Sequence, residues 1–192
     1  MIIGFSGYAG VGKDTVAKMI VQRRPQFKIV KFSDVLKDIA SILTGVPKAN
    51  FENQDFKNSE LDGWDMTVRE FLQRLGTDAI RDNLHRDAWI NALFVNYHQK
   101  DNWLITDMRF LNEYEAVLKW GGYTVRVERP GIGPCNNHPS EIQLDRESFH
   151  YRILNEHDYD TWWDVVDTLL TRIDFDHHEA NKSILDQVWD VS

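Results

Sequence analysis

Two rhythms of apolar residues alternate along this chain. Ile2, Ile3 and Phe5 begin a short continuous apolar run that predicts a buried strand over 2–6. Val16, Met19, Ile20 and Val21 then recur at helical spacing over 15–23, and Pro25 stops that helix. A strand over 28–32 follows, then a helix over 35–43 with Leu36, Ile39, Ala40 and Leu43 on its inner face. Residues 45–66 are polar and broken by Gly45, Pro47 and Gly63, which predicts a loop-rich stretch. Helical patterns resume over 67–75 and 87–97. Beyond them the pattern predicts a strand at 103–106, a helix at 111–120 and a strand at 123–128. A flexible loop at 130–140, a strand at 149–154 and two helices at 162–173 and 179–189 complete the series. Strands separated by helices call for right-handed crossovers. The expected fold is therefore α/β, a three-layer domain with a five-stranded parallel sheet and helices on both faces. A single domain fills 1–192, with 45–99 as a helical insertion lying over one end.

Composition adds exclusions. The chain has 192 residues, 42% hydrophobic and 27% charged, ordinary values for a globular domain with a sizeable core. Its 22 basic and 30 acidic residues give a net charge of −8, a poor balance for binding nucleic acid or an anionic membrane. Any phosphate site must be a local cluster working against that field. The lone Cys135 excludes an internal disulfide framework and a cysteine-based zinc cluster, and suits a reducing compartment. The amino terminus lacks the basic segment of a signal peptide, and no apolar run reaches membrane-spanning length. A cytoplasmic location is expected. The oligomeric state stays open, a homodimer included.

Gly7-Tyr-Ala-Gly-Val-Gly-Lys13 matches G-x-x-x-x-G-K, with a predicted strand before it and a helix after. Such a loop can turn successive N–H groups inward on an anion. The helix adds its positive end, and Lys13 a point charge. Gly7, Ala9, Gly10, Val11, Gly12, Lys13, Asp14 and Thr15 are the expected phosphate-binding residues. After Lys13 stands Asp14, where a Ser or Thr is usual, with Thr15 behind it. Either Asp14 ligates Mg²⁺ or holds its waters, or it caps the helix while Thr15 supplies the oxygen.

Asp107 ends an apolar strand, where a second contact to Mg²⁺ waters is expected; the alternative is a plain strand-end turn or cap. Arg109 follows at the sheet's carboxyl edge, where open α/β sheets bind ligands. Arg69, Arg74, Arg81, Arg126, Arg129, Arg146 and Arg152 supply further cations, as phosphoryl transfer requires. Arg109 and Arg129 stand out by position.

The phosphate loop running into Gly12-Lys13-Asp14-Thr15 resembles that of the bacteriophage-type deoxynucleoside monophosphate kinases. So do Phe32-Ser-Asp-Val-Leu-Lys37, Leu72-Gln-Arg-Leu-Gly-Thr77 running to Arg81, Asp107-Met-Arg-Phe-Leu-Asn-Glu113, and His138-Pro-Ser-Glu141. The resemblance covers residues 3–141. It implies a P-loop kinase fold with a lid, here the loop at 129–147, and an acceptor-binding lobe, here 45–99. It also implies ATP as donor, Mg²⁺ as cofactor and a deoxynucleoside 5′-monophosphate as acceptor. By similarity Lys13, Arg109 and Arg129 serve the transferring phosphoryl. Asp34, Lys37, Arg69, Arg74, Arg81, Trp89 and Arg109 face the acceptor. His138, Ser140 and Glu141 either contact a nucleotide when the lid closes or simply start a helix. The loop Asn155-Glu-His-Asp158 is a candidate for the donor base, with a helix cap as its alternative. Asp176, His177, His178 and Glu179 are adjacent on a helix and point apart, so they are not read as a metal cluster.

Overall fold

The computed structural model describes residues 1–135, 139–156 and 159–189. β1 (Ile2–Ser6) is buried along its whole length, as a central strand covered on both faces must be. The phosphate loop leads from it into α1 (Lys13–Arg23), then β2 (Phe27–Val30) and α2 (Asp34–Thr44). A left-handed Gly45 closes α2, its N–H donating to the Ser41 carbonyl.

The insertion holds more structure than its polarity predicts. A 3₁₀ turn (Lys48–Glu52), α3 (Gln54–Asn58) and a small antiparallel hairpin of β3 (Glu60–Leu61) and β4 (Met66–Thr67) lie where a loop is expected. Spaced single anchors hold them: Phe51 and Leu61 join Ala40, Val68 and Phe71 in a separate small core. α4 (Val68–Gln73), capped by the Thr67 hydroxyl on the Glu70 N–H, runs on as a π-helical stretch (Arg74–Asp82). α5 (Ala88–Phe94) returns the chain to the sheet.

β5 (Asn102–Ile105), α6 (Leu111–Lys119), β6 (Tyr123–Glu128), α7 (Pro139–Ile142) and β7 (Tyr151–Leu154) follow. Two terminal helices were expected; a single α8 (Tyr159–Trp189) is found. The stretch between them contains no glycine or proline, so the helix continues, with Asp174 paired to Arg24, Asp176 accepting from the Tyr151 hydroxyl and the His177 ring against Tyr123. The expected strand over 28–32 stops at Val30, because the N–H groups of Phe32 and Ser33 turn to Asp107 instead of a neighbouring strand.

The five long strands pair in parallel in the order β2-β5-β1-β6-β7. One face packs on α1 and α8 through Val16, Ile20, Leu169 and Ile173. The other packs on α5 and α6 through Trp89, Phe94 and Val117. This layering brings the loops after β1, β2, β5 and β6 to one edge of the sheet. No helix among the described residues is long and apolar enough to cross a membrane.

Candidate active site

The phosphate loop fits its place because two of its glycines stand where no side chain could. Gly7 has φ 145° and its missing Cβ would strike the Val127 carbonyl. Gly12, the α1 N-cap, has φ 105°, with the Asn155 amide nitrogen 2.8 Å from where a Cβ would lie. That nitrogen donates to the Val11 carbonyl at 2.9 Å, tying the loop after β7 to the phosphate loop. Lys13 opens α1, and its ammonium donates to the Gly7 and Tyr8 carbonyls at 2.6 and 2.8 Å. Burial, then the positive charge of Arg109, pushes its pKa down to about 8.

With Gly12 as N-cap, Asp14 sits in the first turn of α1, an exposed carboxylate 3.7 Å from the Lys31 ammonium. Thr15 is exposed beside it, and Ala9 and Gly10 form the exposed part of the loop. Lys31 also pairs with Glu52 at 3.3 Å, and Glu52 in turn holds the buried Lys37 at 2.5 Å. A chain of alternating charges thus runs from the phosphate loop into the inserted lobe. Lys57 belongs to the same cluster: burial, then the charge of Lys37, lowers its pKa. Arg69 donates to the Asn58 side chain at 3.1 Å. Asp34 accepts from the Lys31 N–H at 2.9 Å and so shapes the turn before α2.

Asp107 accepts from the Phe32 and Ser33 N–H groups at 2.9 and 3.0 Å, one on each oxygen. It therefore braces the loop after β2 from the end of β5. Arg109 reaches Glu141 on α7 at 2.5 Å, joining the loop after β5 to the expected lid. Arg81 does not lie open to a ligand. It is nearly buried, donates to Asn112 at 3.1 Å and to Glu113 at 2.7 Å, and stacks 3.8 Å from the Phe110 ring centre. Arg74 pairs with Glu70 on the exposed side of α4. Trp89 is a core residue, its indole N–H donating to the Gly76 carbonyl at 2.9 Å. Ser140 lies on α7; His138, His157 and Asp158 lie outside the described residues.

Arg129 lines a cavity of about 240 Å³ with Tyr8, Arg126, Glu128, Ile132, Asp145 and Arg152. Arg126 is buried there, donating to Asp145 at 2.6 Å and to Ser6 at 3.2 Å, with its guanidinium 4.9 Å from the Tyr8 ring centre. From sequence, Arg126 is one cation among several and Lys37 an acceptor candidate, while the side chains of Tyr8, Lys31 and Glu52 have no expected role. One signal for Arg126 was available: a charged residue inside the apolar run of a fully buried strand needs a partner or a ligand. Glu52 carried no signal, since only the folded insertion brings it to Lys37.

Among the described residues no three carboxylate, imidazole or thiol groups converge to cage a metal ion. Mg²⁺ keeps several waters and binds through one or two carboxylates together with substrate phosphates. Asp14 is the exposed hard-oxygen donor next to the loop.

Residues 44–164 match the family model for deoxynucleotide monophosphate kinase. The chain is 32% identical over 161 residues to a putative deoxynucleotide monophosphate kinase of Acanthamoeba polyphaga mimivirus, covering 75% of this chain and 82% of that protein. It is 32% identical over 95 residues to the deoxynucleotide monophosphate kinase of Enterobacteria phage T4, covering 47% of this chain and 39% of that one. Among solved structures, the dephospho-CoA kinase of Campylobacter jejuni aligns with a TM-score of 0.48 at 12% identity, over 90% of this chain and 96% of that one.

Proposed function

The chain belongs to the deoxynucleotide monophosphate kinase family, and from that membership we propose that it transfers the γ-phosphoryl group of MgATP to a deoxynucleoside 5′-monophosphate. The products are ADP and the deoxynucleoside diphosphate. It does so in the cytoplasm, on small-molecule substrates. The observation that carries the reading is the meeting of Lys13, Arg109 and the lid residue Glu141 over one phosphate loop.

No side chain of the enzyme has to become a nucleophile. An acceptor phosphate oxygen attacks the γ-phosphorus in line, and positioning and charge neutralisation carry the rate. The loop N–H groups from Gly7 to Thr15 hold the donor phosphates. Lys13 leaves the Gly7 and Tyr8 carbonyls for the transferring oxygens. Arg109 and Arg129 approach from the loops after β5 and β6. Bound Mg²⁺ would neutralise charge on the donor phosphates, with Asp14 and Thr15 as the residues to hold it or its waters, while both Asp107 oxygens are engaged by the Phe32 and Ser33 N–H groups. Lys31 and Lys37 around the start of α2, with Lys57 and Arg69 of the lobe, supply positive charge for the acceptor phosphate. Asp34 shapes that surface, and Ser140 and Glu141 bring the lid to it. The closed lid excludes water that would hydrolyse ATP.

The test is ADP release with MgATP and each deoxynucleoside monophosphate and its ribose counterpart, against an acceptor-free control. Acceptor-dependent ADP with a matching diphosphate is expected, and Lys13→Ala should abolish it while leaving the circular dichroism spectrum unchanged. ATP binding with no product from any acceptor would overturn the reading.

A further inference from the structure

Glu113 is the most deeply buried carboxylate near the site, its side chain 3% exposed, and its hydrogen bonds go to Arg81, Arg109 and Phe110. One oxygen takes the Arg81 guanidinium at 2.7 Å. The other accepts two backbone N–H groups, from Arg109 at 2.9 Å and Phe110 at 3.1 Å. Only the second of these is an ordinary helix cap, at the N-terminus of α6 on Phe110. The bond to Arg109 goes one residue further back and fixes the backbone from which the guanidinium projects toward Glu141 and the phosphate loop.

The carboxylate's other partner comes from the lobe. Arg81 lies in the π-helical stretch, and its guanidinium also donates to Asn112, whose amide donates to Asp87 at 2.7 Å and to the Arg86 carbonyl at 3.1 Å. One buried carboxylate thus holds both the lobe and the turn that carries Arg109. Burial pushes the Glu113 carboxyl up to about 7 in spite of the Arg81 charge, and a group so costly to ionise depends on all three of its donors.

We propose that Glu113 is a positioning residue for phosphoryl transfer, fixing the backbone at Arg109 in the orientation set by the seated lobe. The proposal rests on the reading of Arg109 as a group that meets the transferred phosphoryl. Both Glu113 oxygens are buried and bonded within the protein, so Glu113 acts on the reaction through the backbone it holds at Arg109. Placement errors on the scale of an ångström are enough to cost two orders of magnitude in rate.

The test is a double-mutant cycle between Glu113→Gln and Arg109→Ala, read as kcat and as KM for both substrates. Glu113→Gln alone should lower kcat about 10- to 100-fold with KM for ATP within about threefold, because the lost contact is one made to the reacting group. In the Arg109→Ala background the same change should cost less than about twofold, since the group it positions is gone. Equal losses in both backgrounds, or an unchanged kcat, overturn the proposal. So does an Arg109→Ala enzyme with full turnover, which leaves the phosphoryl-transfer reading to the wild-type assay. If Glu113→Gln does not fold, amide hydrogen exchange on the wild-type protein decides. The Arg109 and Phe110 amides, though in a loop, should exchange as slowly as those of β5, and fast exchange at either overturns the proposal.

Discussion

Arg109 and Glu141 form an ion pair at 2.5 Å that spans the gap between the loop after β5 and the short helix α7. The guanidinium is about one-third exposed, whereas the carboxylate is nine-tenths buried, and its Oε2 has no hydrogen-bond partner among the described residues. A carboxylate so placed occupies the cation that a phosphate would claim.

Glu141→Gln should therefore tighten ATP binding. A partly exposed pair of this kind is worth about 1 kcal/mol, or roughly a fivefold fall in Kd by calorimetry. Weaker binding in the variant would instead make Glu141 a nucleotide contact of the closed lid.

Lys13 predicts a pH dependence. Its pKa is lowered to about 8, chiefly by burial, so above that pH the free enzyme increasingly holds a neutral amine. Bound phosphate favours the charged form, so binding must take up a proton there. ATP affinity should be flat from pH 6 to 7.5 and about tenfold weaker at pH 9. Calorimetry at pH 9 in buffers of different ionisation enthalpy should report uptake approaching one proton.

For stability the sign is the reverse of the common lysine case. The folded pKa lies below the unfolded value of 10.5, so the penalty for a buried ammonium is fully present below pH 8 and is relieved as pH rises from 8 toward 10.5.

Asp107 separates bracing from metal binding. Asp107→Asn turns one acceptor into a donor against an N–H group of Phe32 or Ser33, and should cost about 1–3 kcal/mol in thermal stability. Asp14→Ala, on an exposed side chain, should leave the melting temperature nearly unchanged and raise the Mg²⁺ concentration for half-maximal activity. A larger Mg²⁺ effect at Asp107 would reverse these roles.

The parts of this architecture legible in the sequence were those written in local pattern. Buried strands show as short apolar runs, α1 and α2 as helical periodicity, and the phosphate loop as glycines at fixed offsets. What escaped was assembly at a distance. Arg81 and Trp89 look like pocket residues because of their neighbours in the chain. Their partners, Glu113 and the Gly76 carbonyl, lie in other turns, and nothing local announces that the pairs meet. The insertion read as loop because its core rests on single apolar residues, Phe51 and Leu61, too widely spaced to make a period.

Trp89→Phe isolates that second case. It removes the donor to Gly76 and part of the buried indole's volume, and should cost about 1–3 kcal/mol by denaturant unfolding. KM for the acceptor should stay within about twofold. A selective rise in that KM would return Trp89 to the wall of the acceptor site.

The position of β1 in the sheet bears on how the protein is made. Ile2 pairs with Trp103 and Ser6 with Arg126, so β1 waits for two strands that follow it much later in the chain. Contacts that distant in sequence close late and slowly. On the ribosome, the segment that will hold the phosphates is unpaired while the lobe, with its own small core, is already complete and free to fold. Nascent chains halted before β5 should thus contain a folded lobe and no nucleotide affinity, and competence should arrive abruptly once β6 emerges.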